Sequence, residues 1–195
     1  MHRRNILTVA LILLVFAAAS ATATSVKMAL SGKGAVNETA IKAGEPVSVD
    51  IILENDTVFT GFTMGFKLTS PSLKEIIHVS DSGGGLNEAG DIKGHNGWQD
   101  QSVWDLNGVF VRETDWDGRL PDTIGFGGLS VKQKYSAHKP EKKLSFDIMV
   151  PGTGVLVIDS AFFPPGGKWL YSAPARLGPS LAPEWGGPYK FEVVK

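Results

Sequence analysis

The 195-residue chain contains no cysteine. That excludes a disulfide-stapled scaffold, a thiolate metal or iron–sulfur site, a thiol nucleophile and lipid acylation at a cysteine. Charge of one sign is also missing. Nineteen Lys and Arg face 20 Asp and Glu, so a basic groove for nucleic acid is not expected. Helical periodicity is absent outside the first 23 residues, and no repeat of fixed period is visible. Catalytic motifs are scarce as well. There is no Gly-x-Ser-x-Gly elbow and no His-Glu-x-x-His helix, and His78, His95 and His138 stand in separate segments. Each of these histidines reads as solvated or structural, and the protein is expected not to be an enzyme.

What is present begins with a leader. His2, Arg3 and Arg4 precede an apolar run of 14 residues, Ile6 to Ala19, and then the small residues Ser20, Ala21, Thr22 and Ala23. This is the pattern of a secretory signal peptide cut after Ala21 or Ala23. A membrane span needs about 20 apolar residues, so the run is too short to be one. The expected mature chain is one domain, residues 24–195, with 17 basic and 20 acidic residues. It is expected to be secreted or periplasmic, monomeric and free of the membrane after cleavage.

The mature sequence alternates with period two. Val47, Val49, Ile51 and Leu53 share one side of a segment, as do Phe62, Met64, Phe66 and Leu68, and again Leu144, Phe146, Ile148 and Val150. Each is the mark of a half-buried strand. Val155–Ile158 is a continuous apolar run, which suggests a strand covered on both sides. Further strands are expected at 26–30, 74–79, 108–112, 123–131, 168–171 and 189–194. About nine or ten short strands, with Gly and Pro between them, predict an all-β fold: an antiparallel two-sheet β-sandwich of jelly-roll or immunoglobulin-like kind, with a closed barrel as the alternative. Residues 81–107 show no clear alternation; they hide a strand at Ser102–Leu106, form a functional loop or simply cover the sandwich. Residues 172–188 hold four prolines and are expected to run extended over the surface.

The opening Gly44-x-x-Val47-x-Val49-x-Ile51-x-Leu53, then Asn55, then Gly61-Phe62-x-Met64-x-Phe66-x-Leu68 resembles that of bacterial cohesin-like domains. Segments around Val103–Gly108, Asp115–Gly118, Pro121–Gly128, Ile158–Phe163 and Trp185–Tyr189 are similar to uncharacterised secreted bacterial proteins with the same opening. The resemblance implies a nine-stranded jelly-roll sandwich and a protein-binding role. It transfers no residue-level contact, and no dockerin segment accompanies it.

Two local patterns suggest ligands. Asp115-Trp116-Asp117-Gly118-Arg119-Leu120-Pro121-Asp122 places three carboxylates around an Asp-x-Asp-Gly turn. Asp115, Asp117 and Asp122 could offer calcium oxygen ligands, whereas the bland alternative is a hairpin turn. Trp98, Trp104 and Trp116 fall close together. Trp104 reads as core, while Trp98 and Trp116 in polar, glycine-rich contexts could stack on sugar rings with Asp100 binding hydroxyls. Trp169 and Trp185 read as pins that hold loops to the sandwich. The lysines between Lys132 and Lys143 read as a solvated hairpin tip. The leading expectation is a non-enzymatic extracellular module that binds a protein partner. Binding of a polysaccharide through Trp98, Asp100 and Trp116, or a structural role at the cell surface, are the alternatives.

Overall fold

The structure is a computed structural model. It describes residues 24–55, 60–79, 110–115, 117–129, 141–161, 169–172 and 181–195, and of 110–115, 126–129 and 141–144 the backbone alone. The described elements are thirteen strands: β1 Ser25–Ser31, β2 Ala35–Asn37, β3 Ala40–Lys42, β4 Pro46–Glu54, β5 Gly61–Thr69, β6 Ile77–Val79, β7 Phe110–Asp115, β8 Asp122–Leu129, β9 Glu141–Met149, β10 Gly154–Ala161, β11 Leu170–Ser172, β12 Glu184–Trp185 and β13 Tyr189–Val194. They form two sheets. The smaller has the order β12-β1-β4-β9-β6; the larger has the order β2-β3-β13-β10-β5-β8-β7, with β11 also paired to β5. Pairing is antiparallel except for β1 with β12 and β13 with β3.

Period-two alternation decides which side of each strand meets the other sheet. In β4, Val47, Val49, Ile51 and Leu53 are buried to 1% exposure or less. Phe62, Met64, Phe66 and Leu68 of β5 face them from the other sheet, and Phe146 and Ile148 of the neighbouring β9 extend the β4 row on the same side. β10 departs from expectation. Leu156 and Ile158 are buried, but Val155 and Val157 are only half-buried. The run is therefore a one-sided strand whose outer positions carry valine, a residue that suits an extended backbone whether or not it is covered.

Three short strands, β2, β3 and β12, add to those expected. The segment foreseen at 74–79 is a strand only from Ile77. Before that point its backbone turns to the neighbouring hairpin, where Glu75 bridges Arg119. The strand expected at 108–112 is β7, displaced to Phe110–Asp115. Of the 172–188 segment, Leu181 bridges Tyr171 and β12 pairs with β1, so its described part is woven into both sheets. Ser102–Leu106 lies outside the described residues.

The interior is dominated by aromatic contacts. Phe66 has no exposure. Its ring centroid lies 6.3 Å from Phe146, 4.8 Å from Trp169 and 5.8 Å from Trp185. Edge-on and tilted arrangements like these are favoured by the ring quadrupoles. Tyr171 is 1% exposed, and burial pushes its hydroxyl pKa up, so it stays protonated. Phe66→Ala would open a cavity shared by both sheets. It is expected to cost about 3–5 kcal/mol, read as a lower midpoint in urea with an unchanged slope; a loss below about 1 kcal/mol would contradict this packing role.

Candidate functional site

Three places gather polar or aromatic chemistry: the edge where β6 meets the β7–β8 hairpin, the strap around β12, and the outer side of the larger sheet.

At the first edge the sheets are hydrogen-bonded to each other. Ile76 donates its N–H to the Gly118 carbonyl at 2.9 Å, and Leu120 donates to the Lys74 carbonyl at 2.8 Å. Gly118 adopts φ +85°, and a Cβ there would lie 3.0 Å from the Ile76 carbonyl oxygen. Glycine thus serves both the left-handed turn and the close approach. Beneath this turn sits Asp122, with no exposure. Gly118 N–H donates to its Oδ2 at 3.1 Å, Thr123 N–H donates to its Oδ1 at 3.0 Å, and His78 Nε2 meets Oδ2 at 2.9 Å. His78 is on β6 of one sheet and Asp122 on β8 of the other, so this pair ties the sandwich together. A buried carboxylate is stable only with such donors around it.

The expected calcium ligands stand as follows. Asp122 is buried and already receives three nitrogen groups. Asp117 is exposed, and its Oδ1 accepts the Arg119 N–H at 2.8 Å, which is the turn chemistry of the bland alternative. Asp115 ends β7, and its side chain is not described. Among the described residues no three His, Cys, Asp or Glu gather as a metal site. Trp98, Asp100 and Trp116 lie outside the described residues, as does Trp104.

Of the two described tryptophans, Trp169 is buried and Trp185 is half-buried against the core. Their centroids are 5.0 Å apart, and Trp185 lies 5.2 Å from Tyr189. Trp185 Nε1–H donates to Asp159 Oδ1 at 2.8 Å. Trp169 Nε1–H donates to the Gly65 carbonyl at 2.8 Å. Gly65 stands where the partner of β5 changes from β10 to β11, and the indole satisfies a carbonyl left by that break. After Trp185 the chain doubles back: a Cβ on Gly187 would lie 2.5 Å from the Trp185 ring, so only glycine fits.

The outer side of the larger sheet is different in character. Register places Thr63, Gly65, Lys67 and Thr69 of β5 outward. Gly127, Gly125 and Thr123 of β8 stand opposite the first three. Val157 and Val155 of β10 and Lys190 and Glu192 of β13 continue the surface. Gly65 and Gly125 are themselves buried, so the centre is recessed between its neighbours. An open groove of about 600 Å³ runs beside Thr39, Val155, Lys190 and Glu192. A smaller one, about 340 Å³, crosses the other sheet near Ser31, Ser48 and Asp147, where the Ser48 hydroxyl donates to Asp147. No histidine lines either groove.

A parity argument could have found the His78–Asp122 pair. His78 alternates with outward Ile77 and Val79, and Asp122 shares the inward parity of Ile124. The partnership itself needs the tertiary fold.

These two sheets, with parallel strands at the margins of an otherwise antiparallel sandwich, define the class of the molecule. No protein-family model matches the sequence, and no curated protein does. Solved structures do match. A type II cohesin domain from the cellulosome of Acetivibrio cellulolyticus is 14% identical, with 87% of this chain and 95% of that chain covered at a TM-score of 0.54. The second type II cohesin module of an adaptor scaffoldin from the same organism is 13% identical, covering 84% and 85% at 0.50. A type II cohesin–X-dockerin complex, also from Acetivibrio cellulolyticus, matches at 10% identity, covering 84% and 93% at 0.50. At such identities the likeness concerns the fold: the chain has a cohesin-like β-sandwich fold.

Removing either partner of the inter-sheet pair has a definite cost. Asp122→Ala leaves the Gly118 N–H and the His78 ring without their acceptor and is expected to cost about 2–4 kcal/mol. His78→Ala leaves the carboxylate with its backbone donors and should cost about 1–3 kcal/mol. In urea titrations the double variant should lose less than the two singles added together, by about 0.5–3 kcal/mol. Strict additivity would show that the pair is not coupled.

Proposed function

We propose that this protein is a secreted, non-catalytic binding module that engages an extracellular protein partner through the outer side of the β13-β10-β5-β8-β7 sheet. The observation that carries the proposal is the make-up of that side. Its centre is glycine and threonine, so a partner's backbone can approach closely, and Lys67, Lys190 and Glu192 lie around it. Five strands at ~4.8 Å spacing and about seven residues at ~3.3 Å make a surface of roughly 24 by 23 Å. That is about 550 Å² in plan, roughly two thirds of one partner's footprint in an ordinary protein–protein interface, about 800 Å². A cohesin–X-dockerin complex among the structural neighbours supports a protein as the partner. Among the described residues no helix is long and apolar enough to cross a membrane. That fits export of residues 24–195 after removal of residues 1–23 as a signal peptide.

The competing reading is glycan binding by Trp98, Trp116 and Asp100, with calcium at Asp115, Asp117 and Asp122 as a possible aid. One set of binding measurements separates these readings. Residues 24–195 are presented to a panel of dockerin and X-dockerin modules, and in parallel to insoluble polysaccharides with calcium or chelator. The expected result is saturable binding to a protein module at a Kd below about 10 µM, near −7 kcal/mol. Thr63→Arg should weaken it at least tenfold, about 1.4 kcal/mol, while Lys27→Glu on the other sheet leaves it unchanged. The reverse pattern would move the interface to the smaller sheet. Depletion on polysaccharide that Trp98→Ala or Trp116→Ala abolishes would replace the protein reading with the glycan one.

A further inference from the structure

The β2–β3 hairpin, at the margin of the proposed binding side, carries a further feature. Glu38 and Thr39 form its turn, with Asn37 paired to Ala40. Asn37-Glu38-Thr39 is an Asn-x-Thr triplet without proline at its centre, the acceptor pattern for N-linked glycans. All three residues are exposed. The Thr39 N–H donates to Asn37 Oδ1 at 2.9 Å, and the Thr39 hydroxyl donates to the same oxygen at 3.2 Å. The backbone N–H can only donate, so the carboxamide is oriented by chemistry: its oxygen faces the turn, and Nδ2 faces away from it. The turn thus holds hydroxyl and carboxamide together and leaves the amide nitrogen accessible.

A second triplet provides an internal contrast. Asn55-Asp56-Thr57 has the same pattern, but Asn55 has no exposure. A sugar could not be joined there without expelling Asn55 from the fold.

We propose that Asn37 is an N-glycosylation acceptor, taking an oligosaccharide from a polyprenyl-diphosphate-linked donor. A bond forms between Nδ2 and the anomeric carbon of the sugar. The bond from that carbon to the diphosphate oxygen breaks, the polyprenyl diphosphate leaves with the electron pair, and Nδ2 gives up one proton to a base of the transferase. Nothing is oxidised or reduced. In the cell the step rests on the export proposed above; the reaction in vitro does not.

The location gives the modification a physical consequence. β2 is an outermost strand of the larger sheet, and Val36 on it is 52% exposed. An exposed edge invites pairing with another chain. A glycan on Asn37 would cover that edge. β2 is four strand steps from β5, roughly 19 Å, and two from β13, so the glycan would be rooted beside Lys190 and Glu192 and away from the glycine–threonine centre.

The test incubates the purified full chain with an oligosaccharyltransferase and a lipid-linked oligosaccharide. An Asn-x-Thr peptide serves as control acceptor, and products are read by intact mass and peptide mapping. The expected product carries one glycan, on Asn37. Asn37→Gln and Thr39→Val should abolish it, Thr39→Ser should retain it, and each variant should keep the near-UV circular dichroism of the parent. Three results would each overturn the proposal: unmodified Asn37 while the control peptide is consumed, a glycan on Asn55 of the folded chain, or modification that survives Thr39→Val.

Discussion

A strand offers its side chains to two opposite sides, and for β5 that constraint organises the rest of the molecule. Its inward row, Phe62, Met64, Phe66 and Leu68, is among the most buried in the protein. Its outward row is Thr63, Gly65, Lys67 and Thr69. Slipping the pairing with β8 by one residue would put four large apolar groups in water and bring a lysine inside. Register is therefore fixed by burial, and with it the positions of Asp122 opposite Leu68 and of Gly125 opposite Gly65. The same parity that makes the core also leaves a small-residue outer surface, so stability and the proposed binding side have one cause.

Two stacked sheets remain open at their margins, and without cysteine the chain cannot close them covalently. It uses a different device at each place. Around β12, an aromatic strap places Trp185 against Phe66, Trp169 and Tyr189, and Trp185 Nε1–H bonds to Asp159. At β6, backbone hydrogen bonds to the Gly118 turn and the His78–Asp122 pair do the joining. The first device works through buried ring area, the second through satisfying a buried carboxylate. Polar closure is the more demanding of the two, because a carboxylate that loses one donor in a dry site costs more than a ring that loses one contact.

Long strands were legible in the sequence because they repeat. β4, β5, β9 and β13 each show the alternation over several turns of the pleat, and their inner sides follow directly. The likeness to cohesins, drawn from the stretch between Gly44 and Leu68, also agrees with the fold. β2, β3 and β12, of two or three residues, are too short to show any period. β10 misled because its outer positions carry valine, Val155 and Val157, beside the inner Leu156 and Ile158. The candidate sites were less legible. A carboxylate in an Asp-Gly turn looks the same in sequence whether it binds an ion, caps the turn as Asp117 does, or is buried against a histidine as Asp122 is. Trp98, Asp100 and Trp116 remain readings of the sequence, since they lie outside the described residues.

The low identity to the structural neighbours follows from the same division between inner and outer sides. An interior tolerates exchange among apolar residues of similar volume so long as the alternation is kept. Outer positions are freer still, because most of them do not hold the sheets together. A sandwich of this kind can thus keep its architecture at 10–14% identity while every residue a partner would touch is different. The fold supplies a broad, rigid surface. On the binding side proposed above, Thr63, Lys67, Thr123, Lys190 and Glu192 point away from the interior, so packing of the sheets places few demands on their chemistry.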